Sequence, residues 1–350
     1  MREGLAPVNI VEIDGSLGEG GGQVLRTSLA LSMITGRPLR MHRIRAGRAN
    51  PGLRRQHLAC VEAAARLCGA EVRGAEVSSQ QVWFSPGTIA GGDVTIDIGT
   101  PGSTTLVVQT ILLPAIIANV PMTAIILGGT HNPLAPPFEF LDRVFLPHVR
   151  AMGANVSLVL DRHGFASGDS AGSRGALGQL TLTVGAGALR PIRLIEGGPI
   201  TSRHATAIIA RLPTHVAERE LAIVRERLGT TVTCEVRDVR AAGTGNVLMI
   251  ELERASGREL ITQLGERGLR AELVAARACD EAAAFIAADV PVGEHLADQL
   301  LLPMAIAGGG QFRTRALSLH ATTNIATIQQ FLDIPIRVVP DRDAVIVTIG

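Results

Sequence analysis

The chain has no lysine: all 33 of its basic residues are arginine. That excludes a P-loop lysine, a Schiff-base lysine and the lysine nucleophile of ordinary nucleic-acid ligases. Any covalent chemistry must come from Ser, Thr, Cys, His, Asp or Glu. A genomic bias toward arginine would give the same absence, so it restricts mechanism without selecting one. Tyrosine is absent as well. The four cysteines, Cys60, Cys68, Cys234 and Cys279, show no CxxC spacing and sit in helix-like or strand-like segments, as buried reduced thiols do. No charged-plus-apolar leader opens the sequence, so a cytoplasmic protein is expected. The apolar run 106–127 is broken by Gln109, Pro114 and Pro121 and is expected to be helix, turn and strand rather than a membrane span. A net charge of +1 points to neither a strongly basic nor a strongly acidic protein. With 350 residues, 46% of them hydrophobic and 19% charged, a soluble globular chain with one large core or two is expected.

Internal similarity organises what is present. "VLRTSLALSMITGRPLRMHRIRAGRANP" (24–51) aligns with "VVQTILLPAIIANVPMTAIILGGTHNP" (107–133), and "LCGAEV" (67–72) recurs as "AMGANV" (151–156). A third copy begins at "ADQLLLPMAIAGGGQFRTRALSLHATTNI" (297–325). In each, an apolar helix leads through a turn to a strand and a loop ending at Asn50, Asn132 or Asn324. A second helix is predicted twice, over "LRRQHLACVEAAARLCGA" and "FEFLDRVFLPHVRAMGA", each closed by glycine. The expected fold is therefore α/β (α+β), with three βαβα-type repeats. On this alignment His320 is a strand-end residue opposite Ala46 and Gly128, where packing does not require histidine.

The pattern breaks between the second and third copies. A smaller α/β domain is expected over 190–284, inserted in a repeat domain made of 1–189 and 285–350. "IRLIEGG" and "TTVTCEVRDV" read as its strands, and "THVAERELAIVRERLG" and "GRELITQLGERG" as its helices.

Gly20 to Val61 contains no acidic residue and eight arginines: Arg26, Arg37, Arg40, Arg43, Arg45, Arg48, Arg54 and Arg55. Guanidinium groups grip phosphate oxygens in pairs, so the segment suits a phosphorylated ligand. Arg37, Arg40 and Arg43 read as a solvated face. Arg45 and Arg48 flank a glycine in "RAGRANPG", a loop where backbone N–H groups and side chains can converge on an anion. Glu19, alone just ahead of this segment in "DGSLGEGGGQVLR", could hold a divalent ion beside phosphates. Asp298 and Gln299 in "GEHLADQL", with Gln109 at the matching point of the second copy, could read a purine, although each is also an ordinary polar residue at a helix start. His42, His131, His148, His163, His204 and His215 show no ligand spacing and read as structural, while His57 stays open.

Together "DGSLGEGGGQVLR", "IRAGRANPGLRRQHL", "GGTHNPLAPPFEF", "HVAERE", "GEHLADQLLLPMA" and "SLHATTNI" resemble the RNA 3'-terminal phosphate cyclase family, from about Ile13 to Leu332. The resemblance implies three repeats like the C-terminal domain of translation initiation factor three, with a smaller inserted domain. It implies an enzyme that adenylylates a histidine with ATP, passes AMP to an RNA 3'-phosphate, and lets the 2'-hydroxyl displace AMP to leave a 2',3'-cyclic phosphate. The nucleophile would be His320, and Glu19 would hold Mg or Mn. Arg26, Arg45, Arg48, Gln56 and His57 would hold phosphates of ATP and of the RNA end. Gln109, Pro136, Phe140, His295, Asp298 and Gln299 would line the adenosine site. No residue of 190–284 is among them, which predicts that the insert is dispensable for adenylylation. Two departures stand out: His295 replaces the usual tyrosine, and "ASGDSAGSRG" replaces a Pro- and Gly-rich run.

Two other readings compete. A non-catalytic cyclase-like ribosome-assembly protein would lack the nucleophilic histidine, which "SLHATTNI" retains. An enolpyruvyl transferase, also built of repeats, would depend on lysine.

Overall fold

The structure, a computed structural model, describes residues 9–165 and 177–350. The segment "ASGDSAGSRG" lies outside the described residues.

The first unit comprises β1 (Val11–Asp14), α1 (Gly22–Thr35), β2 (Leu39–His42), α2 (Arg55–Cys68), β3 (Glu71–Arg73) and β4 (Val82–Ser85). Its sheet has the order β1-β2-β4-β3, parallel at the first pairing and antiparallel at the other two. The second comprises β5 (Gly92–Asp97), α3 (Thr104–Ala118) and β6 (Met122–Gly128). A π-helical turn (Phe140–Phe145) then runs into α4 (Leu146–Ala151), followed by β7 (Val156–Arg162) and β8 (Gly178–Val184). The order β5-β6-β8-β7 has the same sequence of orientations.

After β9 (Arg193–Leu194) the chain makes a different unit: β10 (Ile200–Ala210), α5 (His215–Leu228), β11 (Thr233–Asp238), β12 (Gly245–Arg254), β13 (Gly257–Leu264) and α6 (Ala271–Ala288). Here the order is β11-β10-β12-β13. The last elements are α7 (Glu294–Ile306), β14 (Gly310–Thr314), α8 (Leu319–Phe331), β15 (Ile336–Asp341) and β16 (Ala344–Ile349). Their sheet, β15-β16-β14-β9, recruits β9 in parallel to β14.

Burial explains the layers. In β2 and β6 buried residues alternate with more exposed ones, so each strand offers one face to the core. Helix α1 is buried over most of its length and packs on α2, α3 and α8, so helices from three units meet at the centre. Among the described residues no helix is long and apolar enough to cross a membrane. The run 106–127 is α3, a turn and β6, as expected.

Three local readings are corrected. "IRLIEGG" supplies β9, which belongs to the last sheet, beside β14, rather than to the insert. "GRELITQL" is not a helix but strand β13, joined to β12 by a two-residue turn between the paired Arg254 and Gly257. Its consecutive Leu260 and Ile261 are buried in two different cores, a demand only a strand satisfies. Finally, His320 is not at a strand end. The Ser318 hydroxyl accepts from the Ala321 N–H at 3.2 Å and caps α8, putting His320 in that helix's first turn. Asn324 is then inside α8, whereas Asn50 and Asn132 lie outside the regular elements, so the alignment of His320 with Ala46 and Gly128 does not hold.

Candidate functional site

The loop before α1 and the first turn of α8 are pressed together. The Glu19 backbone N–H donates to Thr323 Oγ1 at 3.0 Å. Gly18, at φ 60°, permits this approach, since a Cβ there would come within 2.2 Å of the same oxygen. The Glu19 carboxylate is ion-paired with Arg48, which also donates to the Glu19 carbonyl at 3.3 Å. His320 Nε2 lies 3.8 Å from Glu19 Oε1.

The other nitrogen of His320 is tied down. Nδ1 is 2.8 Å from Gln23 Oε1, and Gln23 Nε2 donates to Asp298 Oδ1. The second bond fixes the amide with its oxygen toward the imidazole, so Nδ1 must carry the hydrogen. Nε2 is left with its lone pair. Asp298 is itself held by Asn324 Nδ2 at 3.1 Å and Gln299 Nε2 at 3.3 Å. Thr27 donates to Asn324 Oδ1 at 3.0 Å, and Gln109 Nε2 donates to Gln299 Oε1 at 2.5 Å. Burial pushes the Asp298 carboxyl up, opposed by Gln23, His320, Asn324 and Arg26. Burial holds His320 below the usual histidine range; Asp298 opposes this, and Arg26, His295 and Arg48 reinforce it. At neutral pH the imidazole is therefore uncharged, with Nε2 available to attack.

A second imidazole has the complementary role. His57 Nδ1 accepts from the Arg54 N–H at 3.1 Å, at the start of α2. Burial first, then Arg45, Arg26 and Arg54, push it down to about 3, so it is a neutral donor through Nε2. A Cβ on Gly22 would lie 2.5 Å from that nitrogen and 3.0 Å from Arg26 Nη1, so glycine brings the α1 N-terminus against both side chains. Helices α1, α2 and α8 have no acidic residue in the first turn, and the Gly21 N-cap of α1 has no side chain to satisfy its N–H groups. With Arg26 and Arg48 beside these helix starts, the region is built for an anion.

Arg45 does a structural task as well. At φ 53° it turns back to donate from Nη1 to the carbonyls of Asn50 (2.8 Å) and Gly52 (3.0 Å). Burial, then the charge of Arg54, lowers its pKa. Gln56 is half-buried beside Gly102.

The structure thus joins Glu19, Arg48, His320, Asp298, Gln299 and Gln109 through one connected set of polar contacts, with His57 and Arg26 at its edge. Pro136 and Phe140 are not in that set: the Pro136 carbonyl accepts from Thr105 Oγ1 at 2.7 Å, and Phe140 is buried at the start of the π-helical turn. His295 is exposed in the first turn of α7. The sequence reading missed Gln23, Thr27 and Asn324. Gln23, Arg26 and Thr27 stand at i, i+3 and i+4 on an apolar helix, a polar stripe that could have revealed them. Among the described residues no group of three or more His, Cys, Asp or Glu could hold a metal ion. The four cysteines are free thiols, with Cys60, Cys68 and Cys279 buried.

Comparison with known proteins gives the family. The profile described as RNA 3'-terminal phosphate cyclase matches residues 17–338. The protein of that name from Ectopseudomonas mendocina (strain ymp) is 48% identical over 332 residues, 94% of each chain. Those of Pseudomonas fluorescens and Ralstonia nicotianae are 47% and 45% identical, covering 97% and 100% of this chain and 97% and 99% of their own. The chain belongs to the RNA 3'-terminal phosphate cyclase family. The solved EPSP synthase of Acinetobacter baumannii aligns at 14% identity with a TM-score of 0.29, over 97% of this chain and 64% of that one, too low to bear on fold or function.

Proposed function

We propose that the chain uses ATP to convert an RNA 3'-terminal phosphate to a 2',3'-cyclic phosphate through covalent His320–AMP. The observation that carries this is the Asp298–Gln23–His320 chain, which leaves Nε2 as the free nucleophile. Nε2 attacks the α-phosphorus of ATP and pyrophosphate leaves, as expected of an uncharged imidazole. An oxygen of the RNA 3'-phosphate then displaces the imidazole and takes AMP. The neighbouring 2'-hydroxyl attacks the 3'-phosphorus and expels AMP. Arg26, Arg45, Arg48, Gln56 and the His57 N–H neutralise and orient the phosphates at the helix N-termini.

The residues fit a divalent ion that arrives with the nucleotide rather than a resident one, because Glu19 is a single carboxylate and is paired with Arg48. Mg usually takes one or two protein carboxylates and completes its shell with phosphates and water. Glu19 would hold Mg or Mn, which would neutralise phosphate charge. His295, exposed beside the site, would stack on the adenine in place of a tyrosine. Gln109, Asp298 and Gln299, with Pro136 and Phe140 behind them, would shape the adenosine pocket. Free cysteines fit a cytoplasmic setting. The non-catalytic alternative is not favoured, because His320 and its supporting contacts are intact.

The test uses RNA ending in a 3'-phosphate, with ATP. The parent should form the cyclic end, and His320→Ala should not. His320→Ala should still close RNA supplied with an adenylylated 3'-end, because that step needs only the 2'-hydroxyl and a positioned leaving group. Cyclisation from ATP by His320→Ala would overturn the reading.

A further inference from the structure

We propose that Glu259 of the inserted sheet is a positioning residue for the nucleotide site: its buried side chain seats Gly293 and so fixes the start of α7, the helix that carries His295 in its first turn and Asp298 and Gln299 in its second. The proposal rests on the reading that these residues serve ATP. The expectation that the insert can be removed without touching the site does not allow for this contact.

Glu259 is on the edge strand β13, opposite Leu252, and is 6% exposed. The Gly293 backbone N–H lies against its carboxyl group, while its Oε2 has no hydrogen-bond partner among the described residues. Gly293 is the N-cap of α7 and offers no side-chain cap, so the helix start depends on an outside group. Its φ of −76° and ψ of 171° suit any residue, yet a Cβ would fall 2.2 Å from Glu259 Oε2 and 2.4 Å from the carboxyl carbon. The contact, and not the turn, favours glycine here, since a Cβ would push the buried Glu259 carboxyl group from its place. The same hairpin reaches the other wall of the site. Leu260 enters the main core, β13 packs on the π-helical turn that begins at Phe140, and Glu251 of β12 is 3.6 Å from Arg143 of that turn.

Glutamine is the proper stand-in for this side chain. Burial first, then Glu281 on α6, push the Glu259 carboxyl up to about 8, so near neutral pH it is the uncharged acid. Glu281 in turn faces His295 and Glu294 of α7.

The experiment compares the full-length parent with Glu259→Gln, Glu259→Ala and Gly293→Ala. It reads KM for ATP and kcat in cyclisation, and hydrogen exchange of amides 294–299. Glu259→Ala should raise KM about tenfold with little change in kcat, and speed exchange in the first turn of α7. Glu259→Gln should match the parent. Gly293→Ala should reproduce the Ala defect, and the double variant Glu259→Ala/Gly293→Ala should be no worse than either single one. Parent-like KM or exchange in Glu259→Ala overturns the proposal, as does Glu259→Gln failing as badly as Glu259→Ala. Should Glu259→Ala not fold, Glu259→Gln and Gly293→Ala decide the matter on the same readouts. A parent that never uses ATP would count against the proposed function instead, and the exchange arm would still decide the Glu259–α7 link.

Discussion

The first unit and the inserted unit are both four-stranded sheets with helices, yet they bury their strands differently. In the first, Leu39 and Met41 of β2 face the core while Arg40 between them is exposed. In the insert, successive residues of β12 go to opposite buried sides. Val247 and Met249 join the main core, whereas Leu248, Ile250 and Leu252 pack with α5 and α6. The inserted sheet is a partition between two cores, and a partition cannot be removed without exposing both. The first unit can spare one face, and the loops and helix starts at its ends carry Glu19, Arg48 and His57. On the proposed function, the first unit contributes phosphate-binding groups to a site whose nucleophile, His320, comes from α8 of the last unit, and the inserted unit contributes support.

Substitutions along one strand of each should bring out this contrast most strongly. Leu248→Ala and Met249→Ala should each cost about 2–5 kcal/mol, because both faces of β12 are packed. On β2, Met41→Ala should cost about 2–5 kcal/mol by the same mechanism. Arg40→Ala should cost under about 1 kcal/mol, since its pairing with Glu12 is solvent-exposed. Urea unfolding checks all four. Equal costs at positions 40 and 41, or a silent member of the β12 pair, would break the comparison.

A smaller effect sharpens the division of labour. Losing one charged phosphate contact in Arg45→Ala or Arg48→Ala should cost about 1.5–3 kcal/mol of activity, roughly ten- to hundredfold. The two should differ in stability. Arg45→Ala also frees the carbonyls of Asn50 and Gly52 and should lower the unfolding midpoint, while Arg48→Ala loses a half-exposed ion pair and should change it little. Steady-state rates and urea midpoints together decide this. Parent rates in both variants would remove the arginines from the phosphate site.

The same contrast explains what could be read from sequence. Strands with one buried face announce themselves by alternation, and Gly69 closes α2 as expected. Strand β13 was hidden because burial on both faces removes the alternation, leaving "GRELITQL" with a helix-like mixture of residues. The residues of the proposed site, Glu19, Arg48, Asp298 and His320, stand in recognisable stretches. What held them was invisible: Gln23 shows its role only when α1, α7 and α8 are packed together, 275 residues separating it from Asp298. His320 was read one element off because a Ser318 cap and a continuing strand look alike in a short stretch.

The central claim is that His320 presents Nε2, with Nδ1 occupied by Gln23. The most direct measurement is to trap the adduct from ATP without RNA, using histidine labelled with nitrogen-15, and to locate the phosphorus by its coupling to the ring nitrogens. The account predicts AMP on Nε2 of His320, released by mild acid and stable to alkali, because protonation weakens a phosphorus–nitrogen bond on imidazole. AMP on Nδ1, on another residue, or in an alkali-labile linkage would contradict it.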